Sequence, residues 1–304
     1  MLKNMFKNFR GKLSPYFIDL EKNPDLRKNP VRRVILFTNA RDEKNIQEWV
    51  AHHLLLGFSL VYIFDHKSTI PINSLFTDPK YKGRVIVERC EMIGAIKLPL
   101  MKRASLLAGA FKADWMLYLD ADEFLVLNNF YGVKQMLNRF YFADSVAVNW
   151  LMFGSSYHIQ EPEGLILDNY TYSDNLLNPH VKSFVRPSQV LHAGTPHYFN
   201  IVHPERMFSI RGALMNPASY SFHSWTVSYD NSPAYIAHFI YQSEETYKKR
   251  KIFLPRDDNG GSRESDPNIH LSHNDFINET VKNKYSERVR LFLRDMDATQ
   301  HSEY

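Results

Sequence analysis

Trp115-Met116-Leu117-Tyr118-Leu119-Asp120-Ala121-Asp122-Glu123-Phe124 (WMLYLDADEF) is the stretch that decides the fold. The apolar run from Trp115 to Leu119 reads as a buried strand, and it delivers three acids where it ends. Alternation along an extended backbone puts Asp120 and Asp122 on the same side. Two carboxylates held this close repel each other unless a cation shares them. A hard divalent ion takes such oxygen ligands and keeps positions open for substrate phosphates. The spacing therefore points to a metal–diphosphate site at the carboxyl end of a central strand, where open α/β sheets bind their ligands.

Working outward, a helix over Pro99–Asp114 is predicted from the stripe Leu100, Ala104, Leu107, Ala108 and Phe111. Upstream, Arg33–Thr38 (RVILFT) reads as a first strand with Asn39, Ala40, Arg41 and Asp42 as its exit loop. A helix follows, with Ile46, Val50, His53 and Leu54 on one face and Gly57 as its stop. His53 belongs to that apolar face, which marks it as a core residue. Leu60–Phe64 is a second strand ending at Asp65, and Arg84–Val87 a third. This rhythm predicts a mostly parallel sheet built like a nucleotide-binding half. No glycine-rich phosphate loop follows any strand, so a bound diphosphate is expected to be held by a metal.

Beyond the acidic stretch the pattern is less regular. Val146–Trp150 reads as a strand and FGSSYH as a small-residue turn. Aromatic residues and stretches rich in Pro and Asn run through 157–233, a surface on which sugar rings could stack. Ala234–Tyr241 leads to Ser243, a helix N-cap followed by Glu244 and Glu245. A polar loop, Asp257–Pro267, precedes a final helix over Asn274–Met296 with the stripe Ile277, Val281, Tyr285, Val289, Phe292 and Met296.

Composition narrows the class. The chain has 304 residues, 44% of them hydrophobic, enough to bury a large core. No apolar run reaches the roughly 18 residues of a membrane span, and no signal-peptide core follows the first basic residues. The single Cys90 excludes an internal disulfide framework and suits a reducing compartment. Residues 1–33 carry nine Lys/Arg against three Asp/Glu, while the remainder is slightly acidic. Within that arm Leu2, Phe6, Phe9 and Leu13 fall at helical spacing, either an amphipathic helix for an anionic membrane surface or a helix packed on its own domain. The body of the protein is not basic, and no nucleic-acid motif is present.

Five blocks stand in order: TNARDEKNIQEWVAHHLLLGFSLVYIFDHKS, ADWMLYLDADEF, NWLMFGSSYH, VKSFVRP and IAHFIYQSEETYKKR. Together they resemble glycosyltransferase family 2 and family 92 enzymes, nucleotide-sugar-dependent transferases of the GT-A fold. The resemblance spans about residues 32–253. It implies an α/β fold: a GT-A-type, Rossmann-like, mostly parallel sheet flanked by helices, with an irregular acceptor half and C-terminal helices. The implied organisation is a basic arm (1–31), a transferase domain (32–255, with a nucleotide-sugar half at 32–129 and an acceptor half at 130–255), and a C-terminal loop and helix (256–304).

The resemblance also implies roles. Asp120 and Asp122 are the metal-binding pair, Asp122 the direct Mn²⁺ or Mg²⁺ ligand and Asp120 nearer the ribose or the ion's waters, with Glu123 bracing the loop. His238 is the third protein ligand, a borderline donor acceptable beside carboxylates. Asn39, Arg41 and Asp65 lie where base and ribose rest, although FDHKS departs from the usual pattern after that strand. Lys102 and Arg103 face either the diphosphate or solvent. Inversion needs a carboxylate base: Asp168 leads, Glu163 is second, and Glu161, Asp174 and Asp230 qualify by type. Lys182 and Arg186 bind phosphate or acceptor, or else pair with surface acids.

The expected activity is metal-dependent transfer of a hexose from a UDP-sugar, UDP-galactose or UDP-glucose, to a glycan, glycolipid or glycoprotein acceptor. The competing readings are a metal-dependent nucleotidyltransferase and a non-catalytic sugar-binding relative. The expected location is cytoplasmic, with peripheral membrane contact through residues 1–13.

Overall fold

In a computed structural model, residues 30–215, 227–252, 266 and 268–300 are described. Its strands are β1 (Val34–Ala40), β2 (Leu60–His66), β3 (Val85–Cys90), β4 (Trp115–Tyr118), β5 (Glu123–Leu127), β6 (Ser145–Met152), β7 (Tyr172–Ser173), β8 (Asn178–Val185), β9 (Val190–Thr195), β10 (Tyr198–Ile201), β11 (Met207–Ser209), β12 (Ala234–His238) and β13 (Phe276–Ile277). The helices are α1 (Ile46–Leu55), α2 (Lys97–Ala110), α3 (Val133–Asn138), α4 (Ile166–Asn169), α5 (Glu244–Tyr247) and α6 (Glu287–Gln300).

The central sheet has the order β3-β2-β1-β4-β8-β6-β12-β5, with β11 beside β6. The first four strands are parallel. β8 then runs antiparallel to both β4 and β6. β12 is parallel to β6 and antiparallel to β5. The sheet is thus the expected α/β one, mostly parallel.

Every residue of β1 is buried, as a strand covered on both faces must be. Val34 and Leu36 join one core while Ile35 and Phe37 join the other; Leu117 and Tyr118 divide in the same way. The strand order reverses between β1 and β4, so a crevice opens at their carboxyl ends.

Several predicted boundaries move, each for a local reason. α2 starts at Lys97, two residues before the expected Pro99, and stops at Ala110 rather than Asp114. Proline is at home in a first turn because its missing N–H would have no intrahelical partner there. β3 extends to Cys90 because β2 pairs with it as far as His66. The last helix does not begin at Asn274: Phe276 and Ile277 pair with β7 instead. The Asn278 side chain then accepts the Thr280 N–H at 3.1 Å and caps the helical run, whose π turn is Lys282–Ser286. Val281, Tyr285 and Val289 are buried as expected, but Ile277 is exposed.

The largest correction concerns the acidic stretch itself. The backbone does not stay extended after Leu119. Asp120 C=O accepts the Glu123 N–H at 3.1 Å, so Asp120–Glu123 is a β-turn from which β5 departs. The alternation argument therefore fails for Asp122, which faces different neighbours from Asp120.

The amphipathic segment Leu2–Leu13 lies outside the described residues, as does the expected polar loop apart from Asp266. No helix among the described residues is long and apolar enough to cross a membrane.

Candidate active site

Asp120 is clamped by two lysines. Lys97, at the start of α2, bonds its Oδ1, and Lys182 on β8 bonds Oδ2 at 2.8 Å. Lys182 also lies 3.4 Å from Glu123 Oε2, and the Asp120 N–H donates to that same oxygen at 2.9 Å. Asn39 and Tyr118 steer Lys97: its ammonium donates to Asn39 Oδ1 at 3.0 Å and lies 4.7 Å from the Tyr118 ring centre. Tyr118 Oη donates to the same Asn39 oxygen at 3.1 Å.

Burial works against ionisation of Asp120, but Lys182 and Lys97 outweigh it and hold the carboxyl well below the usual carboxylate range. Burial likewise opposes the charge on Lys182, yet Asp120 and Glu123 keep it above the usual lysine range. Glu123 goes the other way. Burial pushes it up to about 8 against the pull of Lys182, with Asp120 and Asp122 pushing it further.

Asp122, buried like Glu123, looks toward the C-terminal half. His238 Nε2 is 3.6 Å from its Oδ1, and Arg250 Nη2 is 3.2 Å from its Oδ2. Sheet pairing explains how a histidine so far along the chain arrives here. β12 lies between β5 and β6, with His238 opposite Glu123 on one side and Met152 on the other. The Phe239 N–H donates to Asp122 C=O at 2.9 Å and fixes the register. Arg250 also reaches Glu43 Oε1 at 3.0 Å, on the exit loop of β1. Burial opposes the guanidinium's charge, but Glu43 and Asp122 more than compensate.

Beside His238 stands Trp150 of β6, with ring centres 4.4 Å apart. The imidazoles of His180 and His197 lie 5.3 and 5.1 Å from the same indole. Burial lowers His197 to about 4, helped by Lys182 and His180, so its imidazole is uncharged near neutral pH. Among the described residues of this part of the fold, Glu123 Oε1, Trp150 Nε1 and Arg41 Nε are buried without a hydrogen-bond partner. Such atoms are expected where a ligand completes the site.

The other predicted residues are placed elsewhere. Asp65 is committed to its own loop, accepting from Ser68 N at 3.0 Å, Ile72 N at 3.1 Å and Arg89 Nη1 at 3.2 Å. Arg103 pairs with Glu88 at 2.7 Å and is exposed, as is Lys102. α2 therefore contributes Lys97, not Arg103, to the acidic turn. Asp168 pairs with Arg290 at 2.7 Å, and Glu163 stands in solvent 3.7 Å from Lys44; neither contact joins them to the acidic turn. Asp174 bonds His273, while Asp230 lies on a single helical turn, Tyr229–Asn231. Arg186 packs over Trp115 and pairs with Asp144. Glu161 lines a cleft of about 570 Å³ with Ile159, Gln160, Glu244, Glu245 and Lys248.

Sequence reasoning assigned no site role to Lys97 or Arg250. A lone lysine in the apolar run IGAIKLPL, just before a helix-starting proline, was the available signal for Lys97.

Asp122 and His238 offer a carboxylate and an imidazole from two different elements, a donor set compatible with a divalent ion. Among the described residues no group of three or more His, Cys, Asp or Glu could hold a metal. An ion held here by two side chains would need further oxygens, and diphosphate oxygens and water commonly supply them.

A sequence profile of glycosyltransferase family 92 matches residues 35–270. The acidic turn, its histidine partner and its three cations all fall within that span. The chain belongs to glycosyltransferase family 92. No curated protein sequence matches it. Among solved structures, TarS 1-349 of S. aureus is similar at 14% identity and a TM-score of 0.33, over 52% of this chain and 48% of that one. TarS in complex with UDP-GlcNAc scores 0.33 at 13% identity, over 52% of this chain and 46% of that one. A UDP-glucose pyrophosphorylase complexed with UDP-glucose scores 0.27 at 13% identity, over 51% of this chain and 69% of that one. The matched part is thus about half the length of the TarS structures.

Proposed function

We propose that this glycosyltransferase transfers a hexose from a UDP-sugar, UDP-galactose or UDP-glucose, to a glycan hydroxyl in a metal-dependent, inverting reaction. The observation that carries this reading is the Asp122–His238 pair beside the Lys97–Asp120–Lys182 clamp, at the switch point of the sheet. A bound Mn²⁺ or Mg²⁺ supplies Lewis-acid stabilisation of the leaving diphosphate. Asp122 and His238 are the residues that hold it. Asn39, near the end of β1, and Arg41, just beyond it, take the base and ribose. Lys97 and Lys182 keep Asp120 ionised and fixed, so that it offers an oriented acceptor to the ribose hydroxyls.

The acceptor enters by the cleft that Glu161 and Glu245 help to line. Asp168, already paired with Arg290, and exposed Glu163 are poorly prepared as bases, because a base must reach the hydroxyl it deprotonates.

The test is nucleotide release from a panel of nucleotide-sugars, with Mn²⁺ and with chelator, for wild type and Asp122→Ala. Metal-dependent release from one UDP-hexose, lost in the variant, is the expected result. Metal-independent release, or release retained in Asp122→Ala, rejects the reading.

A further inference from the structure

The two aspartates of the turn are neutralised by cations of different kinds. Lys97 and Lys182 are only 3% and 1% exposed at the side chain, and they are rooted in a regular helix and a central strand. Arg250 is 22% exposed and is carried by a five-residue π turn, Lys248–Ile252. Turns of this kind are a local departure from regular helix that recurs at functional sites.

The position of the guanidinium is the telling point. It contacts Asp122 through Oδ2, while His238 approaches the other oxygen of the same carboxylate. A divalent ion bound by Asp122 and His238 would meet Arg250 within a few ångströms, and like charges so close in a partly buried site repel strongly. Arg250 has a second anchor in Glu43, so leaving Asp122 would not leave its charge unpaired. Its planar fork is also the side chain best matched to phosphate oxygens.

We propose that Arg250 is the resident counter-ion of Asp122, displaced when a divalent cation binds, and that the displaced guanidinium then engages the donor's diphosphate. The inference rests on the metal-dependent nucleotide-sugar reading above. Arg250 thus acts at two stages: it neutralises Asp122 while the site is empty, and it adds a positive charge beside the leaving group once the donor is bound. No bond is made or broken in the exchange. Lys97 and Lys182 take no part in it: both are buried against the carboxylate of Asp120, on the other side of the turn's division.

The test uses the full chain with Arg250→Met, which keeps much of the stem and removes the charge, and Arg250→Lys, which keeps the charge. Free Mn²⁺ is followed by electron paramagnetic resonance without nucleotide, and UDP binding by calorimetry at saturating Mn²⁺. Without nucleotide, Arg250→Met is expected to bind Mn²⁺ about five- to tenfold more tightly than wild type, the scale of one displaced ion pair. With Mn²⁺ present it is expected to bind UDP at least about tenfold more weakly, having lost a charge-assisted phosphate contact. Arg250→Lys should keep Mn²⁺ affinity near that of wild type, which also guards against misfolding of the methionine variant. Mn²⁺ binding that is unchanged or weakened in Arg250→Met overturns the exchange, as does undiminished UDP binding. If wild type binds no UDP with Mn²⁺, the nucleotide reading fails, and the nucleotide-free titration still decides whether Arg250 and the ion compete.

Discussion

Asp120 and Asp122 are two residues apart in one turn, yet they belong to different halves of the protein. Asp120 is gripped by Lys97 and Lys182, in a network that also involves Asn39, Tyr118 and Glu123. Asp122 faces His238 and Arg250, both supplied by the chain after residue 233. The first arrangement is a closed electrostatic clamp. The second sets a carboxylate and an imidazole beside a more exposed guanidinium, the cation proposed above to exchange with a metal ion. A two-letter acidic motif can therefore divide its work between holding the site together and carrying out its chemistry, with the turn between the two acids making the division possible.

The contrast is broken most directly by swapping one acid at a time. Asp122→Asn should lower metal-dependent turnover by about 10²–10³-fold, the usual scale for a group that stabilises developing charge. Its melting temperature should stay close to wild type, and a matching collapse in stability would place Asp122 in the structural half instead. Asp120→Asn should show its largest effect on stability instead. It leaves two buried ammoniums without their shared carboxylate, a loss of about 3 kcal/mol measurable by urea unfolding. A neutral effect there would show that the clamp contributes little to the fold.

A smaller effect comes from the pH dependence of stability. Burial pushes Glu48 up to about 8, against the pull of the Leu167 and Ile166 N–H groups that its carboxylate accepts. Between its ordinary 4.5 and about 8 the folded state holds the proton more firmly than the unfolded chain, so stability falls as pH rises through that window. His52 has the opposite sign: burial lowers it to about 4, so stability falls as pH drops below 6.5. Glu48→Gln should flatten the decline between pH 6.5 and 8, where the slope from one group is at most about 1.4 kcal/mol per pH unit. An unchanged slope in urea midpoints would assign the decline elsewhere, Glu123 being the next candidate.

The smallest change is expected at Asp168. Its pairing with Arg290 is partly exposed, so Asp168→Asn should cost no more than about 1 kcal/mol and spare sugar transfer. Abolished transfer with intact donor binding would instead make Asp168 the base.

Much of the N-terminal half could be read directly from the chain. The apolar runs of β1, β2 and β4, the helix stripes between them and the stop at Gly57 are local signals, and local signals survive in a sequence. His53 was correctly placed in the core for the same reason. The C-terminal half was harder. β12 is only five residues long and lies between β5 and β6, and such pairing leaves almost no mark on the strand itself. Lys182 looked equally suited to a phosphate, an acceptor or a surface acid, and only the packing of β8 between β4 and β6 buries it against Asp120.

By itself the sequence determined that Asp120 and Asp122 stand at the end of a buried central strand, because five consecutive apolar residues before a polar turn can satisfy their backbone and side chains in few other ways. It also determined the alternation of strands and helices that places this strand in an α/β sheet. Tertiary structure alone decided which partner each acid has. A cation's proximity depends on helix starts, strand order and register, which are set by contacts between segments far apart in the chain, and a shift of one residue in any of them would turn its side chain to another face.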